Sequence, residues 1–217
     1  LHGRAACTWH DEYGWVVIKG VGWTFGGPRV LMSPKDPELC FGLYDKVSAI
    51  REYGVSNWIQ KRNVHATRVL GFAPIKDQRL VGSRFKSGTL VEPVLLYTAM
   101  LSPFRVEDLF YMNDENKSQA IEEVCSICSW DSPNYFEQFM TKLAENVAHF
   151  HHLDGCNDSL IIGNVTLAAE ITDFEWITVP DTSLPLPFGD ARDALEIRRQ
   201  KELIYLYEIG IKLAALL

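Results

Sequence analysis

Apolar positions along the first hundred or so residues are spaced as in short strands, with one helix among them. Runs with strand character end at Lys19, occupy residues 64–75 and extend from Leu90 to Tyr97. Since Pro93 lacks the N–H that a sheet ladder needs, the last run is expected to be an edge strand or to contain a bulge. From Asp45 to Lys61 apolar side chains recur at helical spacing, which predicts a helix. Its predicted buried face is Val47, Ile50, Tyr53, Gly54, Trp58 and Ile59.

Helical spacing dominates the chain from Ser102 onward. Helices are predicted from Lys117 to Ser129, from Tyr135 to His152 and from Asp190 to Leu217. The apolar stripe of the last one is Ala194, Ile197, Leu203, Leu206 and Ile209. The predicted fold class is therefore α+β, with a strand-rich N-terminal lobe in residues 1–100 that contains one helix, and a mainly helical C-terminal lobe in residues 101–217.

The segment 163–176 places Asn164 and Asp173 nine positions apart across an apolar run. Alternation along that run is typical of a strand or a tight hairpin. Such a hairpin would hold both side chains at one end of a pocket, and their oxygen atoms are ligands that Mg²⁺ prefers. The triplet Asp-Phe-Glu that begins at Asp173 also resembles the Asp-Phe-Gly of kinase-like phosphotransferases, in which the Asp holds the metal. In the simpler interpretation, Asn164 caps a turn and Asp173 ends a strand.

Lys19 ends an apolar strand and is followed by a glycine-rich turn that contains Gly20 and Gly22. A lysine in that setting is costly unless an anion accompanies it. The backbone N–H groups of such a turn can bind phosphates, although a hairpin turn uses the same residues. Glu52, on the predicted helix, is the candidate partner of Lys19, and a solvated helix charge is the simpler interpretation of it. Polar groups that converge between two lobes are typical of a nucleotide site.

Charge and composition bear on the class of partner. The chain has 21 Lys and Arg against 28 Asp and Glu, a formal net charge of −7, which argues against nucleic acid as the main partner. No apolar run approaches the ~20 residues that span a bilayer. We therefore expect no membrane span and a cytoplasmic location, with an organelle or a secreted effector as alternatives. Cys125 and Cys128 form a C-x-x-C, for which two thiols on a partly buried helix face are a simpler interpretation than a metal or redox site.

Several separated stretches match one family in their order and spacing. They are Gly3-Arg4-Ala5, Val17-Ile18-Lys19-Gly20-Val21-Gly22-Trp23-Thr24, Ile50-Arg51-Glu52, Arg68-Val69-Leu70-Gly71-Phe72 and the interval from Asn164 to Asp173. Together they resemble the selenoprotein O (SelO) family. Its pattern has Gly-Arg-Ala, then Leu-Lys-Gly-Ala-Gly-x-Thr, then Ile-Arg-Glu, then Asp-Asn followed at the same interval by Asp-Tyr-Gly. Members have a protein-kinase-like two-lobed fold and are protein adenylyltransferases, and full members are much longer at both ends.

The resemblance implies that ATP binds in a flipped orientation relative to kinases, so that AMP passes to a Ser, Thr or Tyr hydroxyl of a protein substrate. Lys19 would bind the ATP phosphates and Glu52 would orient Lys19. Asn164 and Asp173 would bind Mg²⁺. The other implied nucleotide contacts are Arg4, Gly20, Gly22, Thr24 and Arg105. A second phosphate-contacting Arg of the family falls near Tyr97, so that contact is lost or replaced.

One departure from the family pattern bears directly on catalysis. The Asp that precedes the metal-binding Asn, the presumed base of the family, is Gly163 in this chain. The nearest carboxylate along the sequence is Asp158, which is the candidate replacement. A base missing from a positioned site costs about 10²–10⁴ in rate. The alternatives to AMP transfer are therefore a protein kinase that transfers the γ-phosphoryl group and a catalytically silent nucleotide-binding pseudoenzyme.

Overall fold

An antiparallel sheet with one helix packed against it forms the first half of the protein. The computed structural model describes residues 5–22, 43–76, 92–181, 183–184 and 195–217. The strands are β1 (Ala5–His10), β2 (Gly14–Lys19), β3 (Tyr44–Asp45), β4 (Arg68–Pro74) and β5 (Pro93–Met100), and the helix is α1 (Lys46–Gln60). The strand order is β1-β2-β5-β3, with β4 also paired to β5, and each of these pairings is antiparallel.

The strand that begins at Pro93 lies inside the sheet, so of the two predicted alternatives the edge position is wrong, while its pairing with β4 contains a register shift between Val69 and Gly71. In β5, Leu96 is opposite Lys19 of β2 and also opposite Phe72 of β4, which shows that the strand is paired on both sides. Pro93 is the first residue of β5, a position where the missing N–H is tolerated. Lys19 is thereby held against a central strand.

Helix α1 has the predicted bounds to within one residue but a different buried face. Asp45 caps it by accepting the N–H of Val47 at 2.9 Å. Three residues predicted as buried are exposed: Val47, Ile50 and Tyr53. Arg51 and Glu52 are buried instead, since this face packs on the segment that follows Asp173. There, Nε of Arg51 donates to the carbonyl of Glu175 at 3.2 Å.

Helices make up most of the second half. They are α2 (Asp114–Cys128), α3 (Tyr135–His152) and α4 (Leu195–Ala214), preceded by a 3₁₀ helix over Val106–Tyr111. The short strands β6 (Cys156–Asn157) and β7 (Ile177–Thr178) pair between α3 and α4. The predicted N-terminal residue of the last helix, Asp190, lies outside the described residues. In the described part of the chain, every helix is too short or too polar to cross a bilayer.

The buried face of α4 is partly polar, in contrast to the predicted apolar stripe. Two residues of that stripe, Ile197 and Leu203, are exposed. Arg198 and Glu202 are buried instead, together with Ile209 and Leu213. Glu202 accepts the N–H of Asn157 at 3.2 Å, and Arg198 pairs with Asp158. Ionic contacts and hydrogen bonds therefore attach the N-terminal part of α4 to β6.

The segment 163–176 folds as a tight turn with isolated bridges rather than as two regular strands. A single bridge joins Val165 to Ile171, and the N–H of Thr172 donates to the Asn164 carbonyl at 3.0 Å. Both alternating sets of side chains between these ends are buried, so the alternation does not separate an inner face from an outer face. The reason is that the segment lies within a core shared by both halves, which includes Tyr44, Leu96, Phe139, Leu167 and Phe174.

Candidate functional site

Lys19 is buried where the two halves of the chain meet. Its Nζ lies 2.7 Å from Oε1 of Glu52 and 3.1 Å from Oδ1 of Asp173. Burial acts to lower the pKa of Lys19, but the negative charges of Asp173 and Glu52 outweigh it, so the pKa is raised. Lys19 therefore remains a cation, and the carboxylate proposed for it from the sequence, Glu52, is one of the two that it contacts.

A network of buried polar groups adjoins this lysine. The Tyr44 hydroxyl contacts Oε1 of Glu52 and lies 2.5 Å from Oε1 of Glu175. A hydroxyl has one proton and cannot donate it to both carboxylates at once. Burial, together with the charges of Asp173 and Glu52, raises the pKa of Glu175 to about 7. Near neutral pH Glu175 can therefore carry the proton that satisfies its contact with Tyr44.

Asp173 combines an unusual backbone conformation with a partly open side chain. Its φ of 66° and ψ of 72° lie in the left-handed region. A residue other than glycine there costs on the order of 1–3 kcal/mol, and such strain is concentrated at active sites and ligand clamps. The Asp173 side chain is 21% exposed whereas that of Glu52 is 2% exposed. Asp173 can therefore reach a ligand, while Glu52 serves Lys19 from inside the protein.

Asn164 is held with its amide oxygen available. Its Nδ2 donates to both the carbonyl and the hydroxyl oxygen of Ser159, each at 2.9 Å. These bonds use both amide hydrogens, so Oδ1 is the remaining polar atom of the side chain. Within the described ranges Oδ1 accepts no hydrogen bond, which leaves it for an external cation or donor.

A cavity of about 300 Å³ brings four of the proposed site residues together, along with Gly163. The residues from the sequence analysis that line it are Lys19, Arg105, Gly163, Asn164 and Asp173. Three further polar residues on its wall were not predicted from the sequence: Glu107, Asp108 and Ser159. Glu107 and Asp108 closely follow Pro103-Phe-Arg105, and their sequence alone is that of an ordinary short helix.

Arg105 is fixed on the cavity wall at both ends. Its backbone N–H donates to Oδ2 of Asp108 at 2.8 Å, and its guanidinium donates to the carbonyl of Gly163. The part of the cavity wall that the structure describes therefore has two positive groups, Lys19 and Arg105, one contributed by each half of the chain.

Comparison with known proteins gives no family assignment. No protein-family model matches the chain, and no curated protein matches it significantly. The similarity to the selenoprotein O family therefore rests on the quoted residues alone.

The glycine-rich turn has a structural explanation at Gly20. Its φ is +88°, and a Cβ there would lie 2.4 Å from the Val94 carbonyl oxygen and 2.9 Å from Cβ of Tyr44. Glycine is thus required by the close approach of β3 and β5, whatever else the turn binds. Among the described residues, neither Gly20 nor Gly22 lines the cavity. Two other candidates for nucleotide contact, Arg4 and Thr24, lie outside the described residues.

The position of Asp158 argues against the predicted role of this carboxylate as the base. Nε of Arg198 donates to its Oδ1 at 2.6 Å, and a second guanidinium nitrogen binds its other oxygen. The same guanidinium donates to the Thr178 hydroxyl. Asp158 does not contribute to the described cavity wall. It joins α4 to the β6–β7 pair, so its nearness to Gly163 in sequence is not matched by a shared cavity.

The donor atoms of Asn164 and Asp173 fit Mg²⁺ in kind and number. Mg²⁺ usually takes one or two protein ligands and completes its shell with water and substrate phosphates. Two side-chain oxygens on one cavity wall agree with that pattern. The described ranges hold no group of three His, Cys, Asp or Glu side chains suited to a protein-only metal site. The C-x-x-C is a separate question. Burial raises the pKa of its Cys128 to about 11, so this cysteine stays a thiol at neutral pH and is not the thiolate that binds metals.

Proposed function

We propose that the protein is an ATP- and Mg²⁺-dependent protein adenylyltransferase with a protein-kinase-like two-lobed fold. The observation that carries the proposal is the contact of buried Lys19 with Glu52 and Asp173, carboxylates from the two halves of the chain. The resemblance to the selenoprotein O family adds the direction of the reaction, in which AMP passes to a Ser, Thr or Tyr hydroxyl of a protein.

The charges of the cavity suit a triphosphate. Nucleotidyl transfer depends chiefly on positioning and on neutralising the phosphate oxygens. Lys19 and Arg105 would supply that positive charge, since both line the cavity. Asn164 and Asp173 would hold Mg²⁺, which, when bound, neutralises further phosphate charge and orients the chain of phosphates.

Glu52 explains how Lys19 can keep its position in such a complex. A ligand in the cavity would compete for Asp173, which is the more exposed of the two carboxylates. Lys19 would then retain Glu52 as its buried counter-ion, so its ammonium group would neither lose its proton nor leave the site. This is a positioning role for Glu52 rather than a contact with substrate.

Two other functions would use the same residues. A protein kinase would transfer the γ-phosphoryl group from the opposite orientation of ATP. A silent nucleotide-binding pseudoenzyme would bind ATP without transfer, and the glycine at residue 163 favours it because the family pattern has its base there.

Two labelled forms of ATP separate these three functions. The chain is incubated with Mg²⁺ and ATP labelled on the α-phosphate or on the γ-phosphate, with its own hydroxyls and a mixed Ser/Thr/Tyr peptide library as acceptors. Protein or peptide label from the α-phosphate alone supports AMP transfer, and label from the γ-phosphate alone supports a kinase. Binding of ATP without either label supports the pseudoenzyme and contradicts the proposal.

A matched pair of variants tests the site. Asp173→Asn should lower transfer by about 10²–10³, the scale of one lost electrostatic contact in a transition state. Asp154→Asn is the control, because Asp154 also has a left-handed backbone, with φ 58°, and pairs with Arg199 at an exposed position. Equal transfer rates for the two variants would contradict the role of Asp173.

A further inference from the structure

We propose that Glu107 is the general base of this site and takes the place of the missing carboxylate at residue 163. The inference rests on the proposed function, because a base is needed where a hydroxyl attacks a phosphate. It concerns a residue outside the family pattern, contributed by the 3₁₀ helix over Val106–Tyr111.

The carboxylate of Glu107 lies where a side chain at residue 163 would begin. A Cβ built on Gly163 would be 2.7 Å from Oε2, 3.0 Å from Cδ and 3.3 Å from Oε1 of Glu107. A side chain at residue 163 and this position of Glu107 therefore exclude each other. The absence of a side chain at Gly163 is what allows the Glu107 carboxylate to lie there, on the wall of the cavity that Asn164 also lines.

The backbone around Glu107 is fixed relative to the segment that holds Asn164. The N–H of Val106 donates to the carbonyl of Val165 at 3.0 Å, and the Arg105 guanidinium donates to the carbonyl of Gly163. Val106 is itself fully buried. These contacts immediately precede Glu107 on the chain, so they fix the backbone from which its side chain extends.

The other carboxylates that line the described cavity have different tasks. Oδ1 of Asp173 binds Lys19, and Oδ2 of Asp108 accepts the N–H of Arg105. Protonation of either group in a catalytic cycle would weaken a contact that shapes the site. Glu107 is the third carboxylate of that wall, and its Oε2 lies 2.7 Å from a Cβ built on Gly163.

The step that Glu107 would assist is the attack of a protein hydroxyl on ATP. The hydroxyl oxygen forms a bond to the α-phosphorus while the Glu107 carboxylate accepts the hydroxyl proton. The bond from the α-phosphorus to the oxygen that bridges to the β-phosphorus breaks, and its electron pair leaves with pyrophosphate. AMP remains as an ester on the acceptor, and Glu107 then releases the proton to solvent. Water in place of the hydroxyl gives AMP and pyrophosphate by the same step.

Three variants test the assignment alongside the wild-type chain. Glu107→Gln keeps the size of the side chain and removes the base. The double variant Glu107→Ala with Gly163→Asp returns a carboxylate to residue 163 in the space that Glu107 vacates, and φ at Gly163 is not positive, so the backbone tolerates a side chain there. Glu115→Gln is the control, since Glu115 is an exposed carboxylate on α2. For each chain, Mg-ATP binding, label transfer from the α-phosphate to peptide, and AMP release to water are measured, and circular dichroism reports folding.

The expected result is that Glu107→Gln binds Mg-ATP as the wild-type chain does and loses about 10²–10⁴ in transfer and in AMP release. The double variant should recover most of that loss, and Glu115→Gln should match the wild-type chain. If Glu107→Gln transfers the label at the wild-type rate, the role of Glu107 is overturned and the proposed function still stands. The same conclusion follows if the double variant is folded but remains as slow as Glu107→Gln. A wild-type chain that binds Mg-ATP but passes the α-label to neither peptide nor water would overturn both.

Discussion

Nζ of Lys19 lies 3.1 Å from Oδ1 of Asp173, although 154 positions separate the two residues in the chain. The contact joins the last residue of β2 to the segment that follows the buried turn of the second half. Glu52 on α1 completes the arrangement at 2.7 Å. One ammonium group thus links three separate parts of the chain, and its removal should affect stability as well as chemistry.

The buried pair of Lys19 and Glu52 should show strong energetic coupling. Removal of either partner leaves an uncompensated buried charge, which costs about 3–5 kcal/mol. In a double-mutant cycle with Lys19→Met and Glu52→Gln, we expect a coupling free energy of about 2 kcal/mol, measured by urea denaturation. The control cycle uses Lys46→Met and Glu92→Gln, because that pair is 3.2 Å apart with both side chains exposed. Its expected coupling is about 0.2–1 kcal/mol. Equal coupling in the two cycles would contradict the buried character of the site.

Gly20 should tolerate a methyl group less well than Gly14. Both residues have positive φ, +88° and +70°, so alanine at either position incurs a backbone cost of about 1–2 kcal/mol. At Gly20 the added Cβ also meets the Val94 carbonyl at 2.4 Å, whereas at Gly14 the nearest atom is 3.8 Å away. We expect Gly20→Ala to cost about 1–3 kcal/mol more than Gly14→Ala, the scale of overpacking. Thermal or urea unfolding of the two variants measures the difference, and equal losses would show that φ alone makes Gly20 necessary.

The parts of the site that follow from local chemistry could be predicted from the sequence. A lysine at the end of an apolar strand needs an anion, which led to Glu52, and that contact is present. The bounds of α1 also follow locally, since Asp45 caps its N-terminus. The buried face of α1 could not be predicted in this way, because apolar spacing does not indicate which polar side chains are buried. Arg51 and Glu52 are buried only because the segment after Asp173 supplies their partners.

Two features of the site depend on contacts between distant segments and had no signal in the sequence. The distance between Glu107 and residue 163 depends on how the 3₁₀ helix packs against the buried turn. The pairing of Asp158 with Arg198 spans 40 positions and is set by the docking of α4. Sequence proximity pointed to Asp158, which is not part of the described cavity wall, and not to Glu107, which is.

Asp158 should contribute to stability rather than to catalysis. Arg198 is buried and loses its counter-ion in Asp158→Asn, so we expect the free energy of unfolding to fall by about 3 kcal/mol. Asp154→Asn removes the partner of the neighbouring Arg199 at an exposed position and should cost less than about 1 kcal/mol. Neither substitution should change the transfer rate per folded molecule, as measured with ATP labelled on the α-phosphate. Transfer that falls in Asp158→Asn but not in Asp154→Asn would restore Asp158 as the base.

Glu170 should make stability fall as the pH rises through the neutral range. It is almost fully buried, and burial raises its pKa from 4.5 to about 7, even though Oε2 accepts the N–H of Leu101 and the hydroxyl of Thr166, each at 3.0 Å. Between these two pH values the folded state binds more protons than the unfolded state, so its stability decreases with increasing pH. The full loss of stability is about 3 kcal/mol. It is complete above the folded-state pKa and absent below the unfolded-state pKa.

The substitution Glu170→Gln isolates this effect from other titrating groups, including Glu175, whose pKa is also about 7. Free energies of unfolding in urea are measured near pH 5 and pH 8 for the wild-type chain and for the variant. The stability of the wild-type chain relative to Glu170→Gln should be lower near pH 8 than near pH 5 by about 2.5 kcal/mol, since a small part of the effect is already present at pH 5. Glu115→Gln, a change at an exposed position, should show no such difference. A wild-type stability relative to Glu170→Gln that is the same at both pH values would mean that the buried carboxylate of Glu170 keeps its charge throughout, with the bonds from Leu101 and Thr166 offsetting its loss of hydration.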